Sequence, residues 1–154
     1  MNFLEPFRLL LAAASPSGYE APEAEGIRRL AAPYCDKIKT DPMGNLICRK
    51  KGSGKKLMLA AHMDVIGFMV SRFEKNGFLS VTNVGGHRPA RLSGKKVRFP
   101  SGVRGLLFER AEAKFGEKKA GETKMTDILL DIGAASEEEA RKMVRAGDIA
   151  VFDY

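Results

Sequence analysis

The chain has 154 residues, 44% of them hydrophobic and 29% charged, with a formal net charge of +7. Those proportions describe one globular domain or two small ones and exclude a disordered chain. The two cysteines, Cys35 and Cys48, lie outside any C-x-x-C or disulfide-framework pattern, which suits a reducing cytoplasm; a lone structural disulfide between them is the alternative, with no pattern to support it.

Phe3, Leu4, Phe7, Leu10 and Leu11 recur at helical spacing and predict an amphipathic helix over residues 2–14. Its LLLAAA run is short and lacks a basic leader, so it reads as neither a signal peptide nor a membrane span. SPSG, Ser15 to Gly18, breaks the helix. A second helix is predicted from Pro22 to Ala32, with Glu20, Glu23 and Glu25 early and Arg28 and Arg29 late, the charge order that complements a helix dipole. Three short strands are then predicted: Cys35 to Thr40, Asn45 to Lys50, and Lys56 to Ala61. The turns DPMGN and KKGSGKK separate them. Two helices and a strand meander read as the first part of an α/β domain.

After Gly67 the texture changes. Strands are predicted over 68–73 and 78–84 around EKNG, whose Asn76-Gly77 is a strong hairpin signal. Further strands are expected over 95–99, 103–108, 128–132 and 149–152. The polar, Gly-containing stretch 109–126 reads as a loop. Ser136, with Glu139 three residues on, predicts a capping box opening a short helix that ends near Arg145. Short strands, one helix and Gly-rich turns suggest a small β-barrel or sandwich from Phe68 onward. No acidic residue lies between Glu74 and Glu109, whereas Arg88, Arg91, Lys95, Lys96, Arg98 and Arg104 fall inside. No aromatic residues interleave with these cations at stacking spacing and no recognition-helix pattern accompanies them. The stretch therefore reads as a solvated or subunit-contacting face, with no nucleic acid or membrane partner expected.

The chemistry concentrates in AAHMDVIGFMV, Ala60 to Val70. The run from Leu57 to Ala61 reads as an interior strand, and a histidine at the end of such a strand projects toward the crevice where α/β folds place ligands. Asp64, two residues after His62, can accept the proton of one imidazole nitrogen and leave the other free for a metal. On these residues alone, a hydrogen-bonded histidine with no metal is the commoner role for a lone His-x-Asp. His87 is the other histidine and belongs to the barrel segment. Glu137, Glu138 and Glu139 read as first-turn helix residues, and Asp127, Asp131 and Asp148 as turn residues serving the backbone.

The order of several short pieces resembles the glutamyl aminopeptidase family of metallopeptidases, whose members form tetrahedral particles and include proteins labelled endoglucanases. The pieces are SGYE from Ser17, DPMGNLI from Asp41, AAHMD and IGFMV from Ala60, VGG from Val84, LLDIGA from Leu129, SEEEA from Ser136 and GD-AVF from Gly147. The resemblance implies an α/β fold class: the first part of an aminopeptidase-like catalytic domain, residues 1–67, followed by an inserted small PA-like β-barrel used in subunit contacts, residues 68–154. It implies a cytoplasmic hydrolase that removes N-terminal residues from peptides with two divalent metal ions, zinc or cobalt. His62 falls on the family's first metal-ligand position and Asp64 on the carboxylate that orients it. Family members run to about twice this length, and the remaining ligands and general base are expected in that continuation. Val65 stands where the family usually has a glutamate, and His87 where an aromatic is common. The chain is thus expected to supply at most one metal ligand and to be inactive alone. Its expected partner is a second copy or a complementing C-terminal half. The alternative is a non-catalytic assembly module built on the barrel.

Overall fold

The structure, a computed structural model, describes residues 3–110 and 123–153. The chain forms two compact units, Met1–Val65 and Ile66–Tyr154.

The first unit contains helices α1 (Leu4–Leu11) and α2 (Ala21–Ala31) and an antiparallel ribbon of β1 (Lys37–Thr40) and β2 (Leu46–Arg49). Helix α1 ends earlier than its periodicity suggests, because Ala14 turns into the left-handed region at φ 51. The helices meet at Gly26, where an added Cβ would sit 3.4 Å from Leu9 Cδ2. In the β1–β2 turn Asp41 Oδ1 accepts the N–H groups of Met43 and Asn45, each at 2.9 Å, and Oδ2 accepts Asn45 Nδ2 at 2.9 Å. Those bonds, the Asn45 side chain foremost, hold the Asp41 carboxyl below its usual range.

The third strand expected, over Lys56–Ala61, is not formed: residues 55–64 carry no regular secondary structure. An apolar run reports a tendency to be buried, but an interior strand also needs neighbours to take its N–H and C=O groups. Among the described residues none pairs with this run, and Leu57, Met58 and Leu59 are 85%, 85% and 89% exposed. Helix α1 likewise buries none of its residues. Much of the apolar content of the first unit is therefore exposed.

The second unit is a closed barrel, which settles barrel against sandwich. Its strands are β3 (Gly67–Phe73), β4 (Leu79–Val84), β5 (Lys96–Arg98), β6 (Arg104–Glu109), β7 (Ile128–Asp131) and β8 (Ile149–Phe152), in the spatial order β3-β4-β7-β6-β5-β8. Every neighbouring pair is antiparallel, and closure leaves no strand edge unpaired. Alternation points Phe68 and Val70 inward from β3, Leu79 and Val81 from β4, and Val97 from β5. A bulge between Val70 and Arg72 restores Phe73 to the interior. Phe68, Leu79, Val97, Leu107, Ile128 and Leu130 are fully buried, each contributing roughly 1.5–3 kcal/mol on removal from water.

The EKNG hairpin closes through a turn in which Gly77 N–H donates to Glu74 O at 3.0 Å, with φ +87 at Gly77. The left-handed residue is the glycine alone, not the Asn-Gly pair. Of the expected loop over 109–126, residues 111–122 lie outside the described residues. Its described end forms a single 3-10 turn, Met125–Asp127. Helix α3 (Glu137–Met143) is capped by Ser136, whose Oγ accepts Glu139 N–H at 3.2 Å, while the Glu139 carboxylate reaches back to Ala135 N–H at 2.8 Å. Arg141 from this helix lies over the Phe73 ring at 4.3 Å. No helix among the described residues is long and apolar enough to cross a membrane.

Candidate functional site

The best-organised polar cluster of the first unit is built where the SPSG break meets the HMD segment. Pro16 and Val65 form an isolated parallel bridge, with Val65 N–H donating to Ser15 O at 3.0 Å. Ser15 is 1% exposed, and its Oγ accepts Glu23 N–H at 3.2 Å and donates to Ala13 O at 3.3 Å. The start of α2 thus holds Ser15, Ser15 holds Val65, and the residues on either side of the bridge are brought together. Ser17 Oγ donates to Asp64 Oδ2. His62 Nδ1 lies 3.0 Å from Asp64 Oδ1 and 3.0 Å from the Asp64 carbonyl oxygen.

Both atoms facing Nδ1 are acceptors, so the neutral ring carries its proton there and presents a lone pair at Nε2. The imidazole side chain is 85% exposed, so that lone pair is open to a ligand. The Ser17 hydrogen bond, the largest influence, pulls the Asp64 carboxyl below its ordinary range; burial opposes it, and the bond and charge of His62 add to the lowering. Asp64 therefore stays an anion, and an anion is the form that holds the Nδ1–H. Close by, Glu23 is 6% exposed, and burial pushes its carboxyl upward.

The sequence pairing of His62 with Asp64 is present as a hydrogen bond. Ser17 was not assigned a part by sequence reasoning, although SGYE was among the recognised pieces; its contact with Asp64 spans 47 positions, beyond any local spacing rule. The other acidic candidates are engaged elsewhere. Glu137 pairs with Arg141 at 2.7 Å and Glu138 with Lys142 at 2.7 Å. Asp127, Asp131 and Asp148 accept the backbone N–H groups of Lys124, Gly133 and Arg145 at 2.9, 2.7 and 2.8 Å. His87 lies in the barrel unit, stacked on Phe68 with ring centroids 4.4 Å apart, its Nε2–H donating to Gly67 O at 2.8 Å. A flat ring is what that position requires, which explains how a histidine serves there.

Among the described residues no three His, Cys, Asp or Glu side chains are grouped to hold a metal ion. The donors present fit one imidazole ligand with its orienting carboxylate, and a dinuclear centre needs several more. In the basic stretch, Arg98 and Arg104 turn toward Asp153, at 3.7 and 3.0 Å, so part of that charge is answered within the barrel unit.

The family model of the M42 glutamyl aminopeptidases matches residues 44–154. A putative aminopeptidase of Acetivibrio thermocellus is 43% identical over 136 residues, covering 88% of this chain and 40% of that protein. Among solved structures, an aminopeptidase of the archaeon Desulfurococcus kamchatkensis superposes with a TM-score of 0.85 at 35% identity, over 98% of this chain and 43% of that one. The TET1 peptidase of Pyrococcus horikoshii, described as able to assemble into a tetrahedron or a large octahedral shell, superposes at 0.81 with 30% identity, over 99% of this chain and 47% of that one. This chain thus spans less than half the length of each of these proteins.

Proposed function

The chain belongs to the M42 glutamyl aminopeptidase family, and from that premise we propose that it is the N-terminal part of a cytosolic, dinuclear metal-dependent aminopeptidase. The complete enzyme removes N-terminal residues from peptides. Residues 1–67 contribute one wall of the catalytic domain, and residues 68–154 form an inserted barrel that makes subunit contacts. A pair of divalent ions, zinc or cobalt, would supply Lewis-acid polarisation of the scissile carbonyl and would lower the pKa of water so that hydroxide is available as the nucleophile.

This chain's own residues have narrower tasks. His62 offers the Nε2 lone pair to one metal. Asp64 is a positioning residue: it holds the Nδ1 proton, fixes the ring's plane and raises the basicity of the ligating nitrogen. Ser17 in turn restrains the Asp64 carboxylate. The observation that carries the reading is the 3.0 Å bond between His62 Nδ1 and Asp64 Oδ1 on an otherwise exposed imidazole. The same geometry supports inactivity of this chain alone, since a single imidazole holds zinc far more weakly than a closed ligand set and among the described residues no three His, Cys, Asp or Glu side chains are grouped to hold a metal ion.

The test is hydrolysis of aminoacyl chromogenic substrates by the purified chain with added zinc or cobalt. No chelator-sensitive turnover is expected, with activity appearing when a chain carrying the remaining length of the family is added. Substantial chelator-sensitive turnover by the chain alone would overturn the proposal. A second reading, an assembly module without catalysis, is favoured by the barrel's completeness: six strands close around their own core. Light scattering separates the two, because a strict monomer at high concentration, with or without metal, is incompatible with an assembly role.

A further inference from the structure

The β1–β2 ribbon carries both cysteines, and a local irregularity brings them together. Lys37 faces Arg49 in the ladder, yet Asp36 N–H also donates to Arg49 O, at 2.8 Å. Two residues of one strand therefore oppose one residue of the other, which is a β-bulge. The Asp36 carboxylate secures it by accepting Lys51 N–H. In a regular ladder Cys35 and Cys48 would point to opposite faces. An extra residue reverses the alternation, which puts Cys35 on the face of Cys48, where a diagonal neighbour is within reach of a side-chain contact. The two thiols are close enough for Cys35 to act on the Cys48 thiol. Both are free; Cys48 is exposed and Cys35 half-buried.

We propose that Cys35 and Cys48 are a redox modification site, a paired dithiol that a small-molecule disulfide such as oxidised glutathione converts into an intramolecular disulfide. Cys48, the accessible partner, loses its proton to solvent. Its Sγ attacks one sulfur of the oxidant, forming a mixed disulfide and expelling one thiolate, which takes up a proton. Cys35, deprotonated in its turn, attacks the Cys48 sulfur, forms the Cys35–Cys48 bond and expels the second small thiol. Two electrons pass from the protein thiols to the oxidant, and one small disulfide becomes two thiols. Burial, reinforced by the neighbouring Cys35 and opposed by Arg28, raises the Cys48 thiol, so the exchange is slow at neutral pH and accelerates as pH rises. The product clamps the segment entering β1 to β2 across the Asp41–Asn45 turn.

The test incubates the full chain with oxidised glutathione, natively and in denaturant, then alkylates the remaining thiols and measures mass. The native chain is expected to lose both alkylatable thiols and about 2 Da, giving one cross-linked peptide containing Cys35 and Cys48. Native oxidation should exceed that in denaturant by about tenfold, because the fold raises the thiols' effective concentration. Cys35→Ser should trap a glutathione adduct on Cys48. Two persistent thiols, two stable glutathione adducts, an intermolecular dimer as the main product, or equal rates in denaturant would each overturn the proposal.

Discussion

Ser17 donates a hydrogen bond to Asp64 across 47 positions of chain, and Asp64 holds Nδ1 of His62 at 3.0 Å. Serine, carboxylate and imidazole form a short relay of orientation in which each group fixes the next. Ser17→Ala is expected to leave the fold intact while loosening Asp64. In the complete enzyme proposed above, Asp64→Ala should weaken metal affinity by about 10–100-fold. Ser17→Ala should cost less, because Asp64 keeps its bond to His62. Metal-dependence curves of peptidase activity read both.

Glu23 is a carboxyl held inside the first unit, with its protonated form favoured by burial. A group whose folded pKa lies above its unfolded value adds stability at low pH and loses it as pH rises through the folded value. Glu23→Gln is therefore expected to be more stable than the parent at neutral pH, the difference vanishing in acid below the ordinary glutamate range. Denaturant midpoints at both ends of that range measure it.

Gly77 combines φ +87 with an added-Cβ position 2.1 Å from Ala134 O, whereas Gly52 has no atom within 4 Å and an unstrained φ. Gly77→Ala should destabilise the barrel by about 2 kcal/mol or more. Gly52→Ala should change stability by less than about 0.5 kcal/mol. Thermal melts of the two variants test the contrast.

Leu57, Met58 and Leu59 present a continuous exposed apolar run, and such surfaces are normally covered by partners. The chain is expected to self-associate through this segment at high concentration. Replacing all three residues with serine should lower the weight-average mass seen by light scattering. Strong hydrogen-exchange protection of residues 55–64 in a dilute monomer would contradict that expectation.

The barrel was legible because its signal is local: alternation at Phe68, Val70, Leu79 and Val81 and turn residues at regular spacing announce half-buried strands. The hydrogen bond between His62 and Asp64 was legible for the same reason, the two being two positions apart. Ser17 was not, since a bond over 47 positions follows from the Pro16–Val65 bridge, which no spacing rule encodes. The run at 56–61 was read as a strand from its apolarity, but hydrogen-bonding neighbours decide strand formation, and the described residues supply none. The switch of Cys35 to the face of Cys48 was equally hidden, because it depends on one extra residue at Asp36.

The most direct test of the His62 assignment is the imidazole nitrogen NMR spectrum of the chain titrated with zinc. The account predicts that His62 starts as the Nδ1–H tautomer, that zinc shifts Nε2 while Nδ1 stays protonated, and that Asp64→Ala removes this preference. Zinc binding through Nδ1, or a His62 spectrum unchanged at saturating zinc, would contradict it.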